Sequence, residues 1–270
     1  MLLDEFYLIN AFTGSKALGN QACVLFVDDL SNDDHLQRLA ANFNLPATTF
    51  IKRESENTFS VRWFAPMAEI HLCGHGTIAA TWAVYQEDPG LTNIIFNYKN
   101  GILEGSVSDG KVELKGDGIP AVETPIPDHV NRGFQGKAIA YFKTSNKDIV
   151  VFEHEREVVE MQPNWAVLRS SSTFGYILTA KSFSYDFVSR VMLPHLSFLE
   201  DQATGSAHLV LSPFWADRLQ RSTMKAYQAS ERGGEVECVI EDGHVTLKAA
   251  CKVFGKGNLV RSGNEKALLY

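Results

Sequence analysis

The sequence predicts an α+β protein of two pseudo-symmetric lobes, each a curled, mostly antiparallel sheet around a central helix. Two observations predict it. Both halves contain many short strand-like segments with one long helical segment, and three segments recur in one order about 130 residues later. The recurring pairs are 62–66 and 190–194, 73–77 and 203–207, and 107–115 and 240–248. Two related halves predict a small-molecule site in the cleft between them.

In the first half, apolar or alternating runs predict strands, and apolar residues at helical spacing predict two helices. The strands are predicted at 6–12, 22–27, 48–52, 58–64, 94–98, 103–108 and 111–115. The first helix follows an N-cap signal at 31–34 and has Leu36, Leu39, Ala40 and Phe43 on one face; the second covers 77–86, with Ile78, Trp82 and Tyr85 buried. Asp109-Gly110 predicts a hairpin turn.

The second half repeats this order. Strands are predicted at 138–142, 149–153 and 176–180, a short helix opens at 162–165, and a long helix begins at 206. Pro213 should kink or shorten that helix, since it lacks an N–H. The proline-rich segment 120–132 predicts a linker. The predicted lobes are therefore 1–116 and 117–270, with residues near 258–270 as candidates for a return to the first lobe.

Composition narrows the functional classes. The net charge is -7 and no basic cluster is present, which argues against nucleic-acid binding. The four cysteines lack zinc-site spacing and predict reduced thiols in a cytoplasmic protein. We find no signal peptide and no apolar run long enough to span a membrane, so we expect no membrane association. The sequence also lacks a nucleotide-binding motif and a zinc motif.

The two glycine-rich segments are the best candidates for chemistry. Gly74 and Gly205 each follow a strand and open a helix, where unpaired N–H groups and the helix dipole favour an anion. Titratable side chains lie around both, namely Cys73, His75, Glu200, Asp201 and His208. One such group could take a proton and another return it.

Structural roles remain open for the same residues. Cys73 could be a small core residue, Asp201 a cap or turn residue, and His208 a structural helix residue. Arg232, before Gly233-Gly234, could hold an anion or belong to an ordinary turn. Asn20, after Gly19, could contact the ligand or cap the following strand.

At these motifs the chain resembles the PhzF-like family, named for a phenazine-biosynthesis isomerase and related in fold to diaminopimelate epimerase. The matching segments are 10–13, 19–24, 72–77, 200–208 and 232–234, in an order that covers nearly the whole chain. Gln202 stands where the family more often has proline.

The resemblance implies cofactor-independent proton transfer on a small carboxylate substrate, usually in a homodimer. By this analogy the backbone at Gly74, His75, Gly205 and Ser206 binds the substrate, with Asn20 and Arg232 as further binding candidates. Asp201, Cys73 and His75 are the candidates for moving protons. No metal ligands are expected.

The main departure from the family lies at Ala47. The family usually has a glutamate there as its proton shuttle, whereas this chain reads Asn44-Leu45-Pro46-Ala47-Thr48. Cys73 is the first substitute, because relatives of the epimerase type carry a catalytic cysteine at that place. The leading interpretation is an isomerase or epimerase; the alternative is a binding homologue that has lost catalysis.

Overall fold

The computed structural model describes residues 5–259, which form 17 strands and six helices. In chain order the first half contains β1 (Glu5–Thr13), β2 (Asn20–Phe26), α1 (Asp33–Phe43), β3 (Ala47–Arg53), β4 (Thr58–Phe64), β5 (Glu69–Ile70), α2 (Gly74–Glu87), β6 (Asn93–Tyr98), β7 (Gly101–Ser108) and β8 (Lys111–Asp117). The sheet-rich α+β class predicted from the sequence is therefore confirmed.

Up to residue 259, the second half is also mainly strand, with one long helix and three short ones. It contains β9 (Val122–Thr124), α3 (Asp128–Gly133), β10 (Ala140–Lys143), β11 (Asp148–Val151), α4 (Glu155–Val159), α5 (Trp165–Leu168), β12 (Tyr176–Lys181), β13 (Phe187–Met192), β14 (Glu200–Asp201), α6 (Gly205–Leu219), β15 (Thr223–Gln228), β16 (Gly234–Glu241) and β17 (His244–Asn258). No helix within residues 5–259 is both long and apolar enough to cross a membrane.

Strand pairing repeats between the halves. β2 pairs parallel to β3, β3 antiparallel to β4, and β4 parallel to β6. In the same way β11 pairs parallel to β12, β12 antiparallel to β13, and β13 parallel to β15. The short strands β5 and β14 pair at equivalent places with β4 and β13. This repeated connectivity is the structural counterpart of the repeated sequence segments.

The repeated arginines make the same contact in each half. Arg62 on β4 forms a two-bond ion pair with Glu69, with both N···O distances at 2.8 Å. Arg190 on β13 forms the equivalent pair with Glu200 at 2.7 Å for both bonds. Such forked pairs hold a planar guanidinium in one orientation. Each fixes the short strand that leads into the following long helix.

Both long helices lie against the sheet. α2 packs on β1, β2, β3, β7 and β8, and α6 packs on β15, β16 and β17. The predicted stripe on α2 was wrong in part: Ile78 is buried, but Trp82 and Tyr85 are only half-buried, and small residues such as Ala79 and Ala83 are buried instead. A helix surrounded by sheet buries most faces, and small side chains allow the close approach.

Two other predictions need correction. Pro213 does not shorten α6, which continues to Leu219, and the Leu209 carbonyl that loses its helical partner accepts a 3.0 Å hydrogen bond from the Ile119 N–H. The segment 120–132, predicted as a linker, contains β9 and the start of α3; β9 is held by antiparallel pairing with β10.

The last described strand joins the two halves. The first part of β17 pairs with β16 and with β8, and the part from Ala250 to Asn258 pairs with β1. The return toward the first strand therefore begins before residue 258. Most of the predicted returning segment, residues 260–270, lies outside the described residues.

Candidate functional site

The starts of α2 and α6 lie against each other. A Cβ atom placed on Gly74 would lie 3.6 Å from the Gly205 Cα, and one on Gly205 would lie 3.6 Å from the Gly74 Cα. A cavity of about 500 Å³ opens beside this contact. Its lining combines Gly74, Gly205 and Ser206 with apolar side chains such as Leu114 and Leu247 and with the acidic and basic side chains of Glu104, Lys115 and Asp117. The structure thus brings the two predicted glycine segments to one hollow.

Neither helix start has a side-chain cap. The N-cap residues Cys73 and Thr204 have nearly the same extended backbone, with φ and ψ of -131° and 99° and of -125° and 107°, and neither makes a capping hydrogen bond through its side chain. The first N–H groups of a helix have no partner inside it, and they carry the positive end of the helix dipole. Two such ends at one cavity favour an anionic ligand.

Asp201 lies in a hydrogen-bond network just before α6. Its carboxylate accepts a 2.8 Å bond from the Asn20 amide and a 2.6 Å bond from the Thr204 hydroxyl. The Gln228 amide donates to the Asp201 backbone oxygen at 2.7 Å and accepts from the Thr204 N–H at 2.9 Å. These bonds fix the carboxylate in one orientation. Sequence reasoning named Asn20 and Asp201 but missed Thr204 and Gln228.

Cys73 and His75 form a buried pair at the start of α2. The Cys73 Sγ lies 3.4 Å from the His75 Nδ1, and only 9% of His75 is exposed. Burial lowers the pKa of His75, but the charge of Cys73, their hydrogen bond and the charge of Asp201 outweigh it and raise this pKa to about 9. A thiolate and an imidazolium stabilise each other in such a pair, so His75 can donate a proton at neutral pH.

Lys147 lies beside the site through its contact with Ser206, and sequence reasoning did not name it. Its ammonium donates to the Ser206 hydroxyl at 3.1 Å, and Ser206 lies in the first turn of α6 and lines the cavity. Burial lowers the pKa of Lys147, an effect that the charge of Asp201 partly offsets. The signal available in the sequence was weak, because a single lysine in a turn between two strands is normally solvated.

Arg232 contacts protein oxygens. Its Nε donates to the Gly19 carbonyl at 2.8 Å, and its terminal nitrogen reaches the Asn10 side-chain oxygen at 3.3 Å. Gly19 has φ of +75°, and a Cβ there would lie 2.2 Å from the Ala11 carbonyl oxygen, so only glycine fits. Arg232 therefore holds the turn that presents Asn20, and its contact with a substrate stays a prediction.

Ala47 lies in the core beneath α2. It is completely buried and shares one apolar cluster with Cys73 and Trp63. Several buried polar atoms nearby in the sheet have no hydrogen-bond partner among the described residues: the hydroxyls of Thr48 and Thr49 and the indole nitrogen of Trp63. The position of the expected glutamate thus carries no ionisable group in this chain, and the nucleophilic thiol of Cys73 belongs to the same cluster.

His208 is fully buried inside α6. Its Nδ1 is 2.9 Å from the Thr204 carbonyl oxygen, and its Nε2 has no partner among residues 5–259. Burial lowers the pKa of His208 to about 4. It is therefore neutral at neutral pH and supports the helix start that carries Ser206. Within the described residues, no three His, Cys, Asp or Glu side chains gather as a metal site requires.

Comparison with known proteins places the chain in a family. The family model for phenazine biosynthesis-like proteins, PhzC-PhzF, matches residues 9–263. The chain belongs to the PhzC-PhzF family. An uncharacterized isomerase of Halalkalibacterium halodurans is 32% identical over 252 residues, which cover 92% of this chain and 95% of that relative.

Solved structures agree with this assignment. A PhzF family protein from Enterococcus faecalis has a TM-score of 0.90 and 29% identity, covering 96% of this chain and 100% of its own. A predicted epimerase from Pseudomonas aeruginosa has a TM-score of 0.75 at 15% identity, covering 96% of this chain and 100% of its own, and shares the fold alone. The resemblance inferred from the sequence motifs is confirmed.

Proposed function

We propose that this protein is an isomerase or epimerase that moves a proton on a small carboxylate without a cofactor. The observation that carries the proposal is the contact between Gly74 and Gly205, which unites two uncapped helix starts at one cavity. The matched relative named an isomerase supports the reaction class. In this proposal the two repeated halves are lobes, 1–116 and 117–270, and the substrate lies between them.

The substrate carboxylate binds to backbone N–H groups at the helix starts. Both ends direct partial positive charge at the cavity, so a negative group gains from two dipoles at once. The apolar side chains of the lining, which include Leu114 and Leu247, contact the rest of the ligand. Substrate binding thus needs the glycines, because they let the carboxylate approach the backbone, and the helix starts, because they supply partial positive charge.

Proton transfer uses groups on both sides of the contact. The Asp201 carboxylate, oriented by Asn20 and Thr204, takes a proton from an acidic carbon as that C–H bond breaks. The electron pair delocalises into the adjoining unsaturated or carboxyl group. His75, held protonated by Cys73, gives its proton to the carbon where the new C–H bond forms. Exchange with solvent then restores both groups.

The sulfur of Cys73 is the second candidate for the base, since Ala47 has no ionisable group and Cys73 lies in the same cluster beside His75. Replacing Cys73 with serine distinguishes the two routes. If Cys73→Ser no longer removes the first proton while Asp201→Asn remains active, Cys73 is the base. The opposite result would assign it to Asp201.

Deuterium uptake tests the proposal directly. The protein is incubated in D₂O with a panel of α-amino acids and β,γ-unsaturated acids, and incorporation at carbon is followed by NMR and mass spectrometry. Enzyme-dependent incorporation into one compound supports an isomerase. Saturable binding of a carboxylate with no exchange across the panel would instead favour the binding homologue that the alanine at position 47 suggests.

The same proposal includes a homodimer in the cytoplasm. Family resemblance supports the dimer, and four free cysteines, three of them buried, fit a reducing compartment. Light scattering should give twice the mass of one chain. A monomeric mass at working concentration would remove the dimer from the proposal and leave the reaction unaffected.

A further inference from the structure

Lys147 is a buried cation beside the candidate site. Only 6% of it is exposed, and it lies in the turn between β10 and β11. Its ammonium donates to the Asn146 side-chain oxygen at 2.8 Å and to the Ser206 hydroxyl at 3.1 Å, and its nitrogen lies 5.6 Å from the Phe174 ring centre. These contacts place the amine beside the first turn of α6.

The charge of Lys147 has no direct counter-ion within the described residues. No carboxylate among residues 5–259 lies within 4.0 Å of its nitrogen, whereas most surface lysines with close partners pair with glutamates, as Lys111 does with Glu237 at 3.1 Å. An ammonium has three donors, and the two neutral acceptors use two of them. Burying an unpaired charge is costly unless a partner of opposite charge comes to it.

The place of Lys147 suggests what that partner is. Ser206, which accepts its hydrogen bond, lines the cavity together with Gly74 and Gly205. The backbone N–H groups at the start of α6 favour an anion at the same point. An anion bound there would meet the helix dipole and the third donor of the ammonium together, since both lie at Ser206.

We propose that Lys147 binds the carboxylate of the ligand at the start of α6 and thereby selects anions with an apolar body. The inference rests on the proposed function for the existence of the ligand site. It adds a buried positive charge, reached through Ser206, to the exposed Lys115 that lines the cavity. Neutral molecules of the same shape would gain no binding free energy from the charge of Lys147. The apolar part of the ligand contacts the cavity walls formed by residues such as Leu209 and Leu247.

Calorimetry with benzoate and its neutral counterpart benzamide tests the role of Lys147. Lys147→Met should weaken benzoate binding about 10- to 100-fold, the range expected for a hydrogen bond to a charged group, and leave benzamide binding unchanged. Lys147→Arg should keep most of the benzoate affinity. The matched control Lys181→Met, at an exposed position on β12, should change neither affinity.

Two results would overturn the inference. One is benzoate binding by Lys147→Met at the wild-type level. The other is an equal loss of benzoate and benzamide, which would indicate a structural role, and thermal unfolding of the variant would show the matching loss of stability. A buried methionine should otherwise leave stability unchanged or raised.

Failure of the proposed function has a different signature. If benzoate shows the charge-dependent effect but no compound exchanges deuterium, the isomerase is rejected and Lys147 keeps its role. If exchange occurs and the charge effect is missing, only the role of Lys147 is rejected. A wild-type protein that neither binds benzoate nor exchanges deuterium overturns both.

Discussion

The Asn20 amide donates a 2.8 Å hydrogen bond to the Asp201 carboxylate across 181 positions of sequence. The same amide donates to the Ala203 carbonyl at 2.9 Å, so one side chain from the first half fixes two points just before α6. Asn20 is completely buried. The proposed base in one half is thus oriented by a residue of the other half, and proton transfer should depend on this contact.

Asn20→Asp should abolish exchange activity at neutral pH while preserving side-chain shape. Two carboxylates at hydrogen-bond distance cannot both ionise easily, so the pKa of the pair rises. A folded-state pKa above the unfolded value means that stability is kept at low pH and lost as pH rises through the raised pKa. We expect a loss of about 1–3 kcal/mol at high pH, measured by urea unfolding.

Asn93→Asp provides the matched charge change at an exposed strand position. It should change neither activity nor the pH dependence of unfolding. Equal unfolding curves for Asn20→Asp and wild type across the pH range would contradict the proposed coupling between Asn20 and Asp201.

Valine at Gly74 or Gly205 should abolish carboxylate binding in a protein that still folds. A Cβ meets only ordinary contacts at both positions, but the methyl groups beyond it would fill the space between the helix starts. We expect a stability cost of about 1–3 kcal/mol from overpacking. Calorimetry with benzoate and circular dichroism measure the two effects. Gly90→Val, in an exposed loop, is the control, and unchanged affinity in both site variants would reject the anion site.

His75 should titrate near pH 9, well above an ordinary histidine. Cys73→Ser removes the two effects of Cys73, coulombic and hydrogen-bonding, that raise the pKa of His75, while burial, which lowers it, remains. The pKa of His75 should therefore fall in this variant, as followed by NMR of the imidazole ring against pH. If the ring titrates at the same pH in both proteins, Cys73 does not stabilise the imidazolium and the proposed proton donor loses its support.

Local patterns predicted most strands and the places where the long helices begin. The repeats at Arg62 and Arg190 and at the two glycine segments were visible because equivalent positions carry equivalent residues. Their structural counterparts, the two forked ion pairs and the contact of Gly74 with Gly205, follow the repeat. Periodicity is a local signal, and duplication is found by comparing the chain with itself. Both can therefore be read from a single sequence.

Contacts between distant polar residues could not be predicted. Gln228 at the end of β15 reaches Thr204, and Lys147 in the turn after β10 reaches Ser206, only because these distant segments come together in the fold. The Leu209 carbonyl that loses its helical partner at Pro213 likewise bonds to Ile119, which lies far away in sequence. Such partners are determined by tertiary packing. Secondary-structure propensity and residue spacing carry no information about it.

Ala47→Glu should create or raise turnover on a substrate found by deuterium exchange. The new carboxyl would lie in the apolar cluster of Cys73 and Trp63, where burial raises the pKa of a carboxylic acid toward the working range of a proton shuttle. General acid–base catalysis contributes about 100-fold or more to rate. Ala47→Gln has the same size and no proton to transfer, so it should give no gain. Equal rates for both variants would favour different chemistry, or Cys73 as the base.

Acid should destabilise the protein through His208. Burial lowers the pKa of His208 from 6.5 to about 4, so the unfolded chain takes up a proton at a higher pH than the folded one. Its contribution is complete above pH 6.5 and is lost as pH falls toward 4, at about 1.4 kcal/mol per pH unit. His208→Asn keeps a donor for the Thr204 carbonyl and removes the titration. Urea unfolding at pH 7 and pH 5 should show a smaller loss in this variant, and an equal loss would place the acid sensitivity elsewhere.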